Sequence, residues 1–95
     1  MGLRFEWDDN KAHLNLRNHG VGFDEAVTVF VDPLARIFDD EVHSTAERRE
    51  IIVGHSLRGR FLLVGFTERS DTTRIISARR ATRKERNDYE ENEFN

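Results

Sequence analysis

Cysteine is absent from these 95 residues and proline occurs once. Without thiols there is no disulfide framework, no thiolate metal site and no Cys nucleophile, a profile that fits a reducing cytosol. Long apolar runs are missing as well. The longest, Phe61 to Val64, is four residues, far short of the ~20 that span a bilayer and too short for a signal-peptide core. Also missing are a Gly-rich phosphate loop, a Ser-His-Asp ordering and an H-E-x-x-H motif. The histidines at 13, 19, 43 and 55 contain no H-x-x-x-H pair, and Asp39-Asp40 lacks the flanking ligands of a metal nuclease. No metal and no cofactor are expected. Hydrophobic residues make up only 37% of the chain, yet seven Phe and regular Val/Ile/Leu clusters argue against disorder. The chain is expected to be one small soluble cytoplasmic domain over residues 1–95, with no membrane association.

What is present is arginine. Lys11 and Lys84 are the only lysines, so 13 of the 15 basic residues are Arg, whose planar fork suits phosphate and carboxylate. The formal charge of -3 conceals an asymmetry. Residues 1–50 hold 6 basic against 11 acidic residues, whereas residues 58–86 hold 9 against 3, followed by Asp88, Glu90, Glu91 and Glu93. This C-terminal stretch is either a solvated, salt-bridged surface or a phosphate-binding face.

Leu3 to Trp7 alternates apolar and polar residues, the period of a half-buried strand. Asp8 is a candidate N-cap for a helix running to about Asn18, closed by His19-Gly20. Phe23, Ala26, Val27 and Phe30 form one apolar stripe of a second helix, stopped by Asp32-Pro33. Strands are expected at Leu34–Phe38, Ile51–Val53, Arg60–Thr67 and Thr72–Ala78. The third of these is apolar on both faces, with Leu62, Val64 and Phe66 on one and Phe61 and Leu63 on the other, as in a central strand. Thr82 and Glu85 make a capping box that announces a C-terminal helix. Up to Asn92 the only sizeable apolar body of that helix is Tyr89, so it is either barely docked or faces a partner. The order β-αα-ββββ-α describes a small α+β domain, a mainly antiparallel sheet with two N-terminal helices on one face and a polar C-terminal helix.

The densest chemical grouping lies at the strand-to-helix junction 74–89. Alternation puts Ser77 and Arg79 on one strand face and Arg74 and Arg80 on the other. Arg83, Arg86 and Tyr89 follow at helical spacing. Such guanidiniums can cradle a phosphodiester and stabilise a pentacoordinate phosphorus. The alternative is that Arg83 and Arg86 pair with Glu90 and Asp88 on the surface. Lys11, Asn15 and Asn18 form a polar stripe on the first helix that reads best as solvated. His43, with Glu47 four residues on, is a candidate pair for proton transfer or simply a surface residue.

Phe5-Glu6-Trp7-Asp8 with Lys11, Asn15, His19-Gly20-Val21, Phe23, Glu25-Ala26, Phe30 and Asp32-Pro33 resembles the opening of the BrnT family of toxins. Arg74-Ile75-Ile76-Ser77-Ala78-Arg79, Ala81-Thr82, Glu85-Arg86 and Tyr89-Glu90 resemble its closing signature. Asp40, His43, Glu47, Arg49, Gly54 and Arg60 are similar in between, while Asn18 stands where the family usually has Lys. The resemblance implies a RelE-like fold and a ribonuclease toxin of a type II toxin–antitoxin module, cutting RNA without metal and halting translation. It also implies a ribbon-helix-helix antitoxin (BrnA-like) that represses the operon through operator DNA, with a toxin dimer in the complex.

The residue reading agrees in part. RNA carries its own nucleophile, the 2′-OH, so the protein need only bind phosphate and move protons. Arg79, Arg80, Arg83 and Arg86 are the candidate phosphate binders and transition-state stabilisers. Tyr89, His43 and Glu47 are the acid–base candidates; Lys11, Arg60 and Arg74 are candidates for RNA contact. Two rival readings stand beside this one: a non-catalytic module that docks an antitoxin or operator DNA, and a metal-dependent nuclease.

Overall fold

The first and last helices begin where local chemistry favours them. The structure, a computed structural model, describes residues 3–93. It runs β1 (Phe5–Glu6), α1 (Asp9–His19), α2 (Phe23–Ala26), a 3₁₀ helix (Val27–Val31), β2 (Arg36–Asp39), β3 (Glu50–His55), β4 (Phe61–Arg69), β5 (Thr72–Arg80) and α3 (Arg83–Glu93). The expected α+β class and order hold. Asp8 caps α1 by accepting from the Lys11 N–H, and Gly20 closes it at φ 69°, a left-handed conformation that glycine adopts without strain. The Thr82/Glu85 capping box also forms, with bonds of 2.8 and 3.1 Å in the two directions.

The second helix departs from its expected form. An α-helical turn gives way at Val27 to a 3₁₀ helix. The β-branched run Val27-Thr28-Val29 disfavours the α form. In addition, the Thr28 hydroxyl donates to the Glu25 carbonyl at 2.7 Å. In 3₁₀ geometry residues three apart eclipse, so Val29 falls in line with Ala26 and both are fully buried.

The sheet order is β1-β5-β4-β3-β2, with β1 parallel to β5 and the other pairs antiparallel. As its two-faced apolar pattern requires, β4 is central. Leu62, Val64 and Phe66 join Ile52, Ile75, Ala78, Val21, Phe23 and Val29 in the main core, beneath α2 and the 3₁₀ helix. Phe5, Phe30 and Phe66 meet edge to face there, with successive centroids 5.1 Å apart. On the opposite face Phe61, Val53 and Leu63 pack with Tyr89 of α3. That one buried ring is how an otherwise polar helix is docked.

Two features correct the sequence reading. First, opposite the step from Gly65 to Phe66, Ser77 pairs with Gly65 and Ile75 with Phe66, so Ile76 is an extra residue in β5. The bulge reverses the alternation: Arg74 shares a face with Ser77 and Arg79, and Arg80 lies alone on the helix-covered face opposite Leu62. Second, Asn15 is not solvated but buried. Its amide donates to the Ala78 and Val21 carbonyls at 2.7 and 2.9 Å, and its Oδ1 accepts from the Ala78 N–H at 3.1 Å. Where β1 ends, this one side chain supplies the hydrogen bonds of a neighbouring strand and fixes α1 along the sheet edge.

Replacing Asn15 by Ala strands three buried backbone groups, each costing about 1–3 kcal/mol. N15A is therefore expected to lose about 3 kcal/mol, seen as a lower urea midpoint at unchanged slope. A loss under about 0.5 kcal/mol would refute this role.

Candidate active site

On the sheet face away from the main core, α3 covers one end and leaves the other as a cavity of about 520 Å³. Its floor is Ile51, Leu63, Gly65 and Ser77. Gly65 keeps the floor low: a Cβ there would come within 2.7 Å of the Ser77 hydroxyl. The walls carry the chemistry: His19 from the end of α1, Asp40, His43 and Arg49 from the β2–β3 loop, and Arg79 from β5.

The β2–β3 loop is polar but stapled. Asp40 N–H donates to the Arg49 carbonyl at 2.9 Å, the Ser44 hydroxyl to the Asp40 carbonyl at 2.8 Å, and Arg49 N–H to Ser44 Oγ at 2.9 Å. Within it His43 Nδ1 lies 3.0–3.1 Å from both Asp40 carboxylate oxygens. The partner of His43 is thus Asp40, not Glu47. The Asp40 side chain is only 17% exposed against 66% for His43, so the carboxylate braces the ring from beneath. With Nδ1–H on Asp40, the Nε2 lone pair is left for a substrate proton. Glu47 binds Arg69 instead, at 2.7 and 2.9 Å, and hydrogen bonding from that guanidinium holds its carboxyl below the usual carboxylate range.

Arg79 is half-buried and forms a two-pronged pair with Glu85, at 2.8 and 2.7 Å. This hydrogen bonding, helped by the Thr82 backbone N–H, draws the Glu85 carboxyl from 4.5 down to about 2. Glu85 therefore serves twice, in the capping box and as the orienting partner of Arg79.

The other candidates are dispersed. Lys11, Glu47 and Arg74 line a smaller adjoining pocket together with Arg49. Arg60 sits elsewhere: its Nε donates to Glu25 at 2.9 Å, its other nitrogen to the Glu25 carboxylate and the Gly20 carbonyl, and Ser56 binds the same carboxylate at 2.7 Å. The Arg60 hydrogen bonds hold Glu25 below the normal carboxylate range, and the pair ties α2 to the β3–β4 turn. Tyr89 is buried, with its hydroxyl donating to the Leu34 carbonyl and its ring 4.9 Å from Phe61; it does not line the cavity. Arg83 and Arg86 are exposed on α3, Arg86 with Glu90 at 3.3 Å, the surface pairing weighed above. Of the seven acid–base and phosphate-binding candidates, only His43 and Arg79 line the cavity. Sequence reasoning gave no catalytic part to His19, Asp40, Arg49 or Ser77, which also line it; the spacing of Asp40 and His43 at i, i+3 was the one local signal. Among the described residues, no three His, Asp or Glu are grouped to hold a metal ion.

The family model described as the ribonuclease toxin, BrnT, of type II toxin–antitoxin systems matches residues 7–85. The chain belongs to the BrnT family. Among solved structures it is similar to the BrnT ribonuclease toxin of Brucella abortus, with a TM-score of 0.66 and 21% identity over 86% of this chain and 100% of that one. At that identity the likeness is one of fold, and it agrees with the small α+β architecture described above. No curated protein matches the sequence. No helix among the described residues of this BrnT-family chain is long and apolar enough to cross a membrane.

The Arg79–Glu85 pair gives a pH-dependent stability. A carboxyl with a depressed folded pKa stabilises the fold above its unfolded value, and loses that contribution as pH falls through the folded one. Both side chains are about a third or more exposed, so screening reduces the effect to about 1 kcal/mol. E85Q should be less stable than the parent by about that amount at pH 7, with the difference shrinking between pH 5 and pH 3. A difference constant across that range would count against the assignment.

Proposed function

We propose that this BrnT-family chain, acting as one toxin domain over residues 1–95, is a metal-independent cytoplasmic endoribonuclease. It inhibits translation and growth and is neutralised by a ribbon-helix-helix antitoxin that binds operator DNA, with toxin copies paired in the complex. The observation that carries the catalytic part is the convergence on one cavity of a carboxylate-braced imidazole, a second imidazole and two guanidiniums: His43 on Asp40, His19, Arg49 and Arg79.

Transesterification of RNA needs three things from the protein, and this wall carries a candidate for each. A base must take the 2′-OH proton; the His43 Nε2 is the candidate, its opposite nitrogen held by Asp40. The 2′-oxygen then attacks phosphorus. Negative charge grows on the non-bridging oxygens, and Arg79 and Arg49 are placed to meet it. An acid must protonate the departing 5′-oxygen, a role for His19. The products are a 2′,3′-cyclic phosphate and a 5′-hydroxyl. Arg79 enters with its fork on Glu85, which sets its orientation before substrate arrives. The binding-module reading finds support in the same pairing, because a guanidinium already holding a carboxylate is also suited to an acidic partner.

Incubating the purified chain with single-stranded RNA in EDTA decides between them. Cleavage with 2′,3′-cyclic ends is expected to survive the chelator. H43Q is expected to lower the rate about 10²-fold or more, and R79A about 10²- to 10³-fold. Undiminished cleavage by either variant removes that residue from the mechanism. Loss of cleavage in EDTA supports the metal-dependent reading, and no cleavage by folded protein supports the binding module.

A further inference from the structure

We infer that the small pocket bounded by Lys11, Arg49 and Arg74 holds a second phosphate of the RNA strand, flanking the one that is cleaved. This rests on the ribonuclease reading and adds a subsite to it. The pocket, about 120 Å³, adjoins the larger cavity, and Arg49 and Ile76 line both. Arg49 is half-buried, with its backbone stapled to Ser44 and Asp40, so the shared wall is fixed. The bulge at Ile76 puts Arg74 on the same sheet face as Ser77 and Arg79, making one continuous path along β5. On the other side α1 borders both hollows, Lys11 at the small one and His19 at the large. Eight residues of helix separate them by about 12 Å.

The charges single out an anion. Lys11, Arg49, Arg69 and Arg74 face the pocket, against the carboxylate of Glu47 and that of Glu6, which holds Arg74 at 2.6 Å. Glu47 already occupies the position of the expected ligand. Besides its bond to Arg69, the charges of Arg74 and Arg49 both favour its ionised form. A carboxylate bonded by Arg69 and favoured by the charges of two further guanidiniums marks where a phosphate is stabilised, and Lys11 adds a charge that forms no ion pair with a carboxylate among the described residues. Thr45 at the rim supplies a hydroxyl. A phosphate bound here competes with Glu47 for the same cations, so the subsite is weak alone and serves a strand already anchored next door.

Binding of 2′-O-methyl oligoribonucleotides tests this without cleavage, since they keep the phosphates and lack the nucleophile. Affinities of two-, three- and four-nucleotide oligomers are measured against salt for the parent chain, K11A, R74A, E47Q and R58A, the last an exposed cation outside both pockets. Each single-strand phosphate contact contributes about -0.7 to the slope of log K against log salt. Beyond the length that reaches the pocket, K11A and R74A are each expected to bind several-fold more weakly and to flatten the slope by about 0.7. E47Q is expected to bind several-fold more tightly, and R58A to match the parent. The inference is overturned if K11A and R74A keep the parent slope at every length, if E47Q weakens binding, or if the folded parent binds no oligomer. Oligomers that bind as expected to a chain that cleaves no RNA overturn the ribonuclease reading and leave the subsite standing.

Discussion

One extra residue in β5 decides which side of the sheet carries the cations. Strict alternation would divide Arg74 and Arg79 between the two faces and leave neither with a strand-long row. The bulge at Ile76 brings Arg74 to the face of Ser77 and Arg79, while Arg80 stays on the other. The candidate active site and the pocket beside it are built on that row, and they share Ile76 itself as a lining residue. A bulge also raises local twist and bends its strand, which suits a sheet face that must be concave at one end and covered by α3 at the other.

A bulged strand near a sheet edge needs its free backbone groups satisfied. β1 pairs with β5 only at Thr73 and Arg74; beyond the bulge the Asn15 carboxamide takes over at Ala78. That single substitution of side chain for strand positions α1, and α1 positions His19 and Lys11 at the two hollows. The framework and the site are linked through one buried amide, so a change at Asn15 should be felt in both stability and the reach of those two side chains.

Much of the fold was legible in the residues, because caps, turn glycines and two-faced strand patterns act locally. Asp8, Gly20, the Thr82/Glu85 box and the central position of β4 were all readable. The break from α to 3₁₀ at Val27 was not, since an α-helical stripe and the observed 3₁₀ packing share Phe23, Ala26 and Phe30; only Val29 separates them. The bulge left no mark in a single sequence, and with it went the face assignment of Arg74. Family likeness located Asp40 and Arg49 without roles, and the residue reading matched His43 with Glu47. Those roles depend on which carboxylate meets which cation, and that is settled in three dimensions: Asp40 rather than Glu47 on His43, and Glu25 on Arg60.

This matching explains how an arginine-rich stretch coexists with a net negative chain. Arg60, Arg69, Arg74, Arg79 and Arg86 each hold a glutamate. Where the pair is structural, as with Arg60 and the buried Glu25, the cation is withdrawn from any ligand. Where it borders a hollow, as with Arg79 and Glu85 or Arg69 and Glu47, the carboxylate orients the guanidinium and at the same time competes for it. A phosphate entering such a site gains a preorganised donor but must share it with an internal anion. On the ribonuclease reading proposed above, affinity for a lone phosphate is thereby held down, while a strand that engages two hollows together gains from effective concentration. Net charge does not report this, because the property that matters is how many cations each hollow holds beyond its carboxylates, and Lys11 and Arg49 supply that excess.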